Sequence, residues 1–323
     1  MNLAYLISAH TDAPQLKRLI EALQDDAHFF IHIDKKSDIS PFTTLLNGDR
    51  IHFLDERFDV QWGTLIEVQY QMQLIDAAVR HPLHFDRIFF LSGMDYPLWA
   101  PGQITRWLEE QGDREILQGL QMDAAEVTPR QNRLYRTARP LHAHLPAKWN
   151  RRLSIIGRKA RRLMGIHKPL DFQVQGRTWH LYKGSAWWCI SEELADFILT
   201  VYREKKEVRK YFRDSFGQAE TLIQTIAFNS PKWAPRCILT QGTYPGLAAL
   251  TPLHFIDYDP VIKVLDETDF PRLRESGKMF CRKVVSGKSD GLIRLIREHQ
   301  SQAGQASTPC HSQAEGSNSA NTK

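Results

Sequence analysis

The sequence predicts an α/β fold, with a mostly parallel central sheet and flanking helices in a single domain, and three observations predict it. Apolar runs of strand length alternate with segments of helical periodicity through the first 120 residues. The runs Phe29 to Ile33 and Arg87 to Leu91 show no apolar–polar alternation, as expected of strands covered on both faces. Two runs also stop abruptly in acidic and hydroxyl side chains: Phe30-Ile-His-Ile-Asp34-Lys35-Lys36-Ser37-Asp38 and Phe89-Phe-Leu-Ser92-Gly93-Met94-Asp95-Tyr96-Pro97-Leu98. In an open α/β sheet the ligand crevice lies beyond the carboxyl ends of the strands. Polar groups arriving after Ile33 and Leu91 therefore converge on one pocket, suited to a nucleotide-like ligand.

The elements follow in order. Leu3 to Ser8 is a first strand, and Thr11-Asp12-Ala13-Pro14 supplies a cap and an early proline for a helix with Leu16, Leu19, Ile20 and Leu23 on one face. Strands at 29–33 and 51–53 come next, then a helix marked by Leu65, Val68, Met72, Ile75 and Val79. Thr64 is placed to cap that helix and Glu67 to close a capping box. Strand 87–91, helix 104–108 and strand 115–119 complete the regular half. Residues 120–180 are expected to be irregular and to face an acceptor, and they contain the basic stretch Lys148–Lys168, with eight Lys or Arg and no acidic residue. Residues 298–323, rich in Gln, Ser, Ala, Gly and Asn, cannot sustain a core and are expected to form a disordered tail after a domain of 1–297.

At 323 residues and 42% hydrophobic content the chain can bury a large core. A formal charge of +5 favours an anionic ligand or surface without demanding nucleic acid, and no recognisable RNA- or DNA-binding module is present. Four scattered cysteines suggest neither a zinc cluster nor a disulfide framework, and no run reaches the roughly 20 apolar residues of a membrane span. The N-terminus reads as a first strand and not a signal peptide, so a cytoplasmic protein is expected.

Several constellations have both a chemical and a structural reading. Asp34 can accept hydrogen bonds from a nucleoside while Lys35, Lys36 and Ser37 face phosphate, or it can belong to a solvated turn. Asp95 sits in a Gly-x-Asp-x-Pro turn after a buried strand. Ser92 lacks the Gly-x-Ser-x-Gly elbow of a hydrolase nucleophile. In Gly184-Ser-Ala-Trp187-Trp188 small residues precede two rings that suit either a sugar or a core, and Ser191 caps the helix that follows. Glu220 is a general-base candidate or simply a first-turn acid favourable to the helix dipole. Asp257-Tyr-Asp259 has the Asp-x-Asp form that holds a divalent ion in many sugar transferases, but it falls too late in the chain for that role.

Taken in order, the segment 30–38, Gln61-Trp-Gly, Leu91-Ser-Gly-Met-Asp-Tyr-Pro-Leu98, Gly184-Ser-Ala-Trp-Trp, Ala219-Glu-x-x-x-Gln-Thr-Ile226 and Phe280-Cys-Arg-Lys283 resemble the core-2/I-branching β-1,6-N-acetylglucosaminyltransferases and peptide O-xylosyltransferases. The resemblance implies a GT-A fold and inverting transfer from a UDP-sugar, with no metal cofactor. It places Glu220 on the catalytic base, Lys283 and Arg272 on the donor diphosphate, Asp34 on the donor nucleoside and Asp95 in the donor pocket. Trp187, Arg133 and Arg136 fall on acceptor positions. The chain departs from the family at Gln218-Ala219, where Pro-Asp or Pro-Ala is usual, and at Cys281, where Ala is usual; Lys263 competes with Arg272 for the phosphates. The family's extracellular disulfides and anchor have no counterpart, which implies a bacterial-type enzyme of surface-polysaccharide synthesis. Its acceptor would be a glycan, a glycolipid or a peptide. The basic stretch offers peripheral contact with an anionic membrane, a solvated loop being the alternative. A catalytically silent UDP-sugar binder is the rival function.

Overall fold

A computed structural model describes residues 1–24, 26–122, 147–165, 168–258 and 261–306. In chain order the elements are β1 (Leu3–Ala9), α1 (Ala13–Leu23), β2 (His28–Ile33), α2 (Ser40–Leu45), β3 (Ile51–Phe53), α3 (Leu65–Val79), β4 (Arg87–Ser92), β5 (Asp95–Pro97), α4 (Pro101–Gln111), β6 (Gln118–Gln121), α5 (Ala147–Leu163), β7 (Asp171–Val174) and β8 (Arg177–His180). There follow β9 (Tyr182–Gly184), β10 (Cys189–Ile190), α6 (Glu192–Glu204), α7 (Lys206–Phe212), α8 (Leu222–Phe228), β11 (Ile238–Thr240), β12 (His254–Ile256), α9 (Phe270–Glu275), β13 (Phe280–Arg282) and α10 (Asp290–Ala306).

The expected α/β class is observed. The main sheet has the order β10-β4-β1-β2-β3, parallel except for β10. Its strands are mostly apolar, as strands covered on both faces are. Leu3, Tyr5 and Ile7 face α1 and α4, while Ala4 and Leu6 face α3, α6 and α8. Two three-stranded sheets, β11-β6-β9 and β12-β13-β5, flank it, and β7–β8 is a hairpin. Asp12 caps α1 by accepting from the Gln15 N–H, and Ser191 caps α6 by accepting from Leu194, as the sequence predicts.

Four expectations are corrected. Thr64 and Glu67 form no capping box: the Thr64 hydroxyl donates to the Gln61 carbonyl and Glu67 reaches back to the Gly63 N–H at 2.6 Å. The sixth strand begins at Gln118 and belongs to a separate sheet; ahead of it Ile116 makes a lone bridge to Cys189, and the Glu115 carboxylate turns inward to accept from the Ser191 N–H and hydroxyl. The basic stretch is helical, not a loop, over Ala147–Leu163. The last helix crosses the expected boundary at 297 and continues to Ala306; Ile293 and Ile296 pack its first turns, and Ala and Gln propagate it.

His32 on β2 is fully buried, stacks on Tyr70 with centroids 4.6 Å apart, and accepts from the Phe58 N–H at 3.0 Å. Burial pushes its pKa down to about 4 from 6.5. The unfolded state therefore binds a proton that the folded state refuses. The corresponding stability, roughly 3 kcal/mol, is fully present above the unfolded value and is lost as pH falls from 6.5 toward 4. Denaturant midpoints measured across that window should fall, and His32→Gln should flatten the slope; an unchanged slope in the variant would assign it to other groups.

Candidate active site

The register of the main sheet aligns three strand ends. Ala9 pairs with Ile33, and Ser8 pairs with Ser92. The residues that follow, His10, Asp34 and Gly93, therefore leave the sheet side by side. Gly93 is required there, since a Cβ would lie 2.7 Å from that of Ala9. Asp34 is nearly buried; its carboxylate accepts from the Lys36 N–H at 3.0 Å and pairs with the Lys36 ammonium at 2.9 Å. Lys36 also reaches Asp59 at 2.7 Å. Burial opposes the Lys36 charge, but the bonds to Asp59 and Asp34 outweigh it and raise the pKa. Ser37, expected to face phosphate, instead donates to the His10 carbonyl. Burial lowers the pKa of His10; Asp34 acts in the opposite sense, and Arg282, Lys283 and Lys36 add to the fall. The same edge thus collects the Asp34 and Asp59 carboxylates and several cations.

Asp95 is fully buried at the start of β5. The antiparallel pairing of β5 with β13 puts Arg282 directly across from it, and β12 brings His254 alongside Phe280. Asp95 accepts from Arg282 at 2.8 Å, from His254 Nε2 at 3.1 Å and from the Ser92 N–H at 2.7 Å. Burial alone would raise its pKa, but the His254 and Arg282 charges hold it below the usual carboxylate range. The Arg282 guanidinium lies 5.1 Å from the centroid of Trp187, whose ring is 5.4 Å from His254. The two tryptophans thus divide the roles left open by the sequence: Trp188 is buried and stacks on Phe90, while Trp187 borders this cluster.

Glu220 ends a short 3-10 turn, Gln218–Glu220, immediately before α8. The fully buried Lys183 of β9 donates to its Oε2 at 2.6 Å. Helix α8 fastens that strand: Gln224 donates to the Ser185 carbonyl at 2.7 Å, and the Tyr182 N–H donates to the Thr225 hydroxyl at 3.0 Å. This explains why Gln and Thr follow the Glu at their spacing. Gly184 permits the close packing, because a Cβ there would sit 3.0 Å from the Gln224 side chain of α8 and 2.0 Å from the Gln118 carbonyl oxygen of β6. Tyr244 lies 5.4 Å from Lys183, and burial, with Glu220 and Tyr258 adding, pushes its pKa to about 12. Trp62, 70% exposed, meets Phe216 edge to face at 5.2 Å, four residues before Glu220.

The other predicted residues are placed as follows. Arg272 pairs with Asp257 at 3.0 Å and Asp269 at 3.7 Å, and Lys263 binds Asp269 at 2.7 Å. Arg133, Arg136 and Asp259 lie outside the described residues. Lys183, His254, Tyr244, His10 and the role of Arg282 were not found in the sequence. Arg282 lies within Phe280-Cys-Arg-Lys283, and Lys183 immediately precedes Gly184-Ser-Ala-Trp-Trp.

Among the described residues one group of three metal-capable side chains comes together, His28, His52 and His81. It lies where β2 begins, away from the Asp34 end. His81 Nδ1 accepts from the Leu83 N–H at 3.1 Å, and His28 Nδ1 meets His52 Nε2 at 3.1 Å, so those nitrogens are already hydrogen-bonded. A cavity of about 500 Å³ between α4 and α9, lined by Trp99, Arg106 and Phe270, contains none of the predicted site residues.

Comparison with known proteins supplies the remaining findings. A family model described as Core-2/I-Branching enzyme matches residues 3–246. That span takes in Asp34, Asp95, Trp187 and Glu220 and stops short of Arg272, Arg282 and Lys283. Xylosyltransferase 2 of Rattus norvegicus is 23% identical over 240 residues, covering 72% of this chain and 25% of that protein. Xylosyltransferase 2 of Homo sapiens is 24% identical over 239 residues, covering 71% and 25%. Xylosyltransferase oxt of Drosophila melanogaster is 23% identical over 240 residues, covering 71% and 24%. The chain spans about a quarter of the length of these curated relatives. Among solved structures, a 4-diphosphocytidyl-2C-methyl-D-erythritolsynthase from Anaerococcus prevotii aligns with 75% of this chain and 87% of that one at 10% identity and a TM-score of 0.37, too remote to carry an argument.

Proposed function

The chain belongs to the Core-2/I-branching enzyme family, and from that premise we propose that it is an inverting glycosyltransferase of GT-A type that moves GlcNAc or xylose from a UDP-sugar to an acceptor hydroxyl. The observation that carries this reading is the Glu220 carboxylate, partly exposed and held by buried Lys183. The helix after it is tied by Gln224 to the Ser185 carbonyl, the Ser185 hydroxyl accepts from the Trp187 N–H, and Trp187 borders the Arg282–Asp95 pair.

In the proposed reaction the acceptor hydroxyl gives its proton to a Glu220 oxygen as its own oxygen bonds to the anomeric carbon. The bond from that carbon to the diphosphate oxygen breaks on the opposite face, and UDP leaves with the electron pair. Asp34 holds the nucleoside. Lys283 and Arg272 neutralise the leaving diphosphate without a metal cofactor, with Arg282 beside them, and Asp95 keeps Arg282 in place. Trp187 gives the sugar an apolar face. The names of the relatives put UDP-xylose first among donors to test, with UDP-GlcNAc second. Glycan, glycolipid and peptide acceptors, and a place in bacterial surface-polysaccharide synthesis, belong to the same reading. Among the described residues no helix is long and apolar enough to cross a membrane.

Calorimetric titration with a panel of UDP-sugars in EDTA, followed by product analysis, tests the proposal. Binding of one donor with UDP release is expected. Binding with no turnover would favour the silent binder instead, and activity lost in EDTA and restored by manganese would overturn metal independence. Lys283→Ala should weaken UDP binding by about tenfold or more, as loss of a charge-assisted contact does. Arg272→Ala should have a smaller effect, because Asp257 and Asp269 already share its charge. Equal affinities for wild type and Lys283→Ala would remove Lys283 from the donor site.

A further inference from the structure

Helix α5 carries its apolar residues on the outside. Trp149, Leu153, Ile156, Ala160 and Leu163 recur at helical spacing and form one stripe along the element, which Met164 extends. Trp149 is 56% exposed, Ile156 61%, Leu163 89% and Met164 64%. Ile155 of the same helix, 38% exposed, lies off the stripe, and the other exposed large apolar side chains among the described residues are scattered singly or in pairs, as at Met1, Leu45 and Trp62. A contiguous apolar patch of this kind marks a surface that is covered in use. Around the stripe every charged residue is cationic: Lys148–Lys168 has eight Lys or Arg and no Asp or Glu. Exposed Arg152 and Lys159 border the stripe, with the Arg152 guanidinium 5.7 Å from the Trp149 ring centroid. By helical period Arg151, Arg158 and Arg162 fall on the opposite row.

We propose that α5 lies in the interface of an anionic lipid bilayer, with its apolar stripe among the acyl chains and its cations at the headgroups. A narrow apolar stripe, a strongly basic remainder and low net hydrophobicity characterise helices that lie in the plane of a membrane and do not cross it. A uniform cationic surround with no acidic residue fits a continuous anionic surface, where each Lys or Arg adds to the attraction. The chain leaving α5 is tied down at Lys168, whose ammonium binds Asp214 at 2.6 Å and the Ser215 hydroxyl at 2.8 Å. Those residues lead directly into the turn carrying Glu220. The surface contains no residue assigned to the transfer, so it stands or falls independently of that chemistry.

The full chain is sedimented with phosphatidylcholine vesicles and, separately, with mixed phosphatidylcholine–phosphatidylglycerol vesicles. It should pellet with the anionic vesicles alone, and the partition should weaken as salt is raised. Ile156→Glu combined with Leu163→Glu should lower that partition by about tenfold or more, with circular dichroism and UDP-sugar turnover unchanged. Equal binding to neutral vesicles, no binding to either, or full retention by the double variant would overturn the proposal. So would light scattering that shows a wild-type dimer which the double variant dissociates, since the stripe would then be covered by a second copy.

Discussion

Glu220→Gln should lower sugar transfer by about 10²- to 10⁴-fold while leaving UDP affinity close to that of the wild type. The amide preserves size and still offers an oxygen to Lys183, but it cannot take the acceptor's proton. Calorimetry with UDP separates lost chemistry from lost binding. A thermal melt is the control, because Lys183 is buried and gives up a charged partner 2.6 Å away. A fall of less than about tenfold would remove Glu220 from the role of base. Unchanged UDP binding in a wild type with no turnover would instead identify a silent binder, so the two failures are distinguishable.

Asp95→Ala should destabilise the fold by about 3–5 kcal/mol, the usual effect of removing one member of a buried ion pair. The carboxylate is fully buried and receives bonds from Arg282, His254 and the Ser92 N–H. Its loss leaves the fully buried His254 and the Ser92 N–H without their acceptor and the partly exposed Arg282 guanidinium without its carboxylate. Urea midpoints for Asp95→Ala and Arg272→Ala provide the comparison. Arg272 is more than half exposed beside Asp257, so its removal should cost less than about 1 kcal/mol. Comparable losses in the two variants would show that the Asp95 cluster contributes no more than a surface pair. Because the Asp95 pKa is held below its unfolded value of 3.8, its contribution persists above that pH and is lost only as pH falls further. That places it on the acid side of the window in which His32 acts.

Most of the main sheet was legible because its strands are apolar on both faces and stop sharply. β1, β2, β3 and β4 lie within a residue or so of where the apolar runs put them, and the caps at Asp12 and Ser191 follow from side-chain chemistry within three residues. Glu115 shows where such reasoning stops: placed in a strand by its neighbours, it lies before the strand with its carboxylate turned inward to Ser191, 76 residues on, a partner that no local pattern reveals. The basic stretch shows the same limit for packing. Its spacing carries an apolar side, but only the fold reveals that this side is left uncovered.

By itself the sequence determined the α/β class, the strand ends on which Asp34 and Asp95 stand, and Glu220 at the head of a helix, because each depends on neighbours within one element. Only the tertiary structure decided which cation meets which carboxylate. Arg282 reaches Asp95 across 187 residues and Lys183 reaches Glu220 across 37. These pairings are set by cross-strand register and by a helix bolted to a strand, and each is strengthened because the assembled core buries one partner, Asp95 or Lys183.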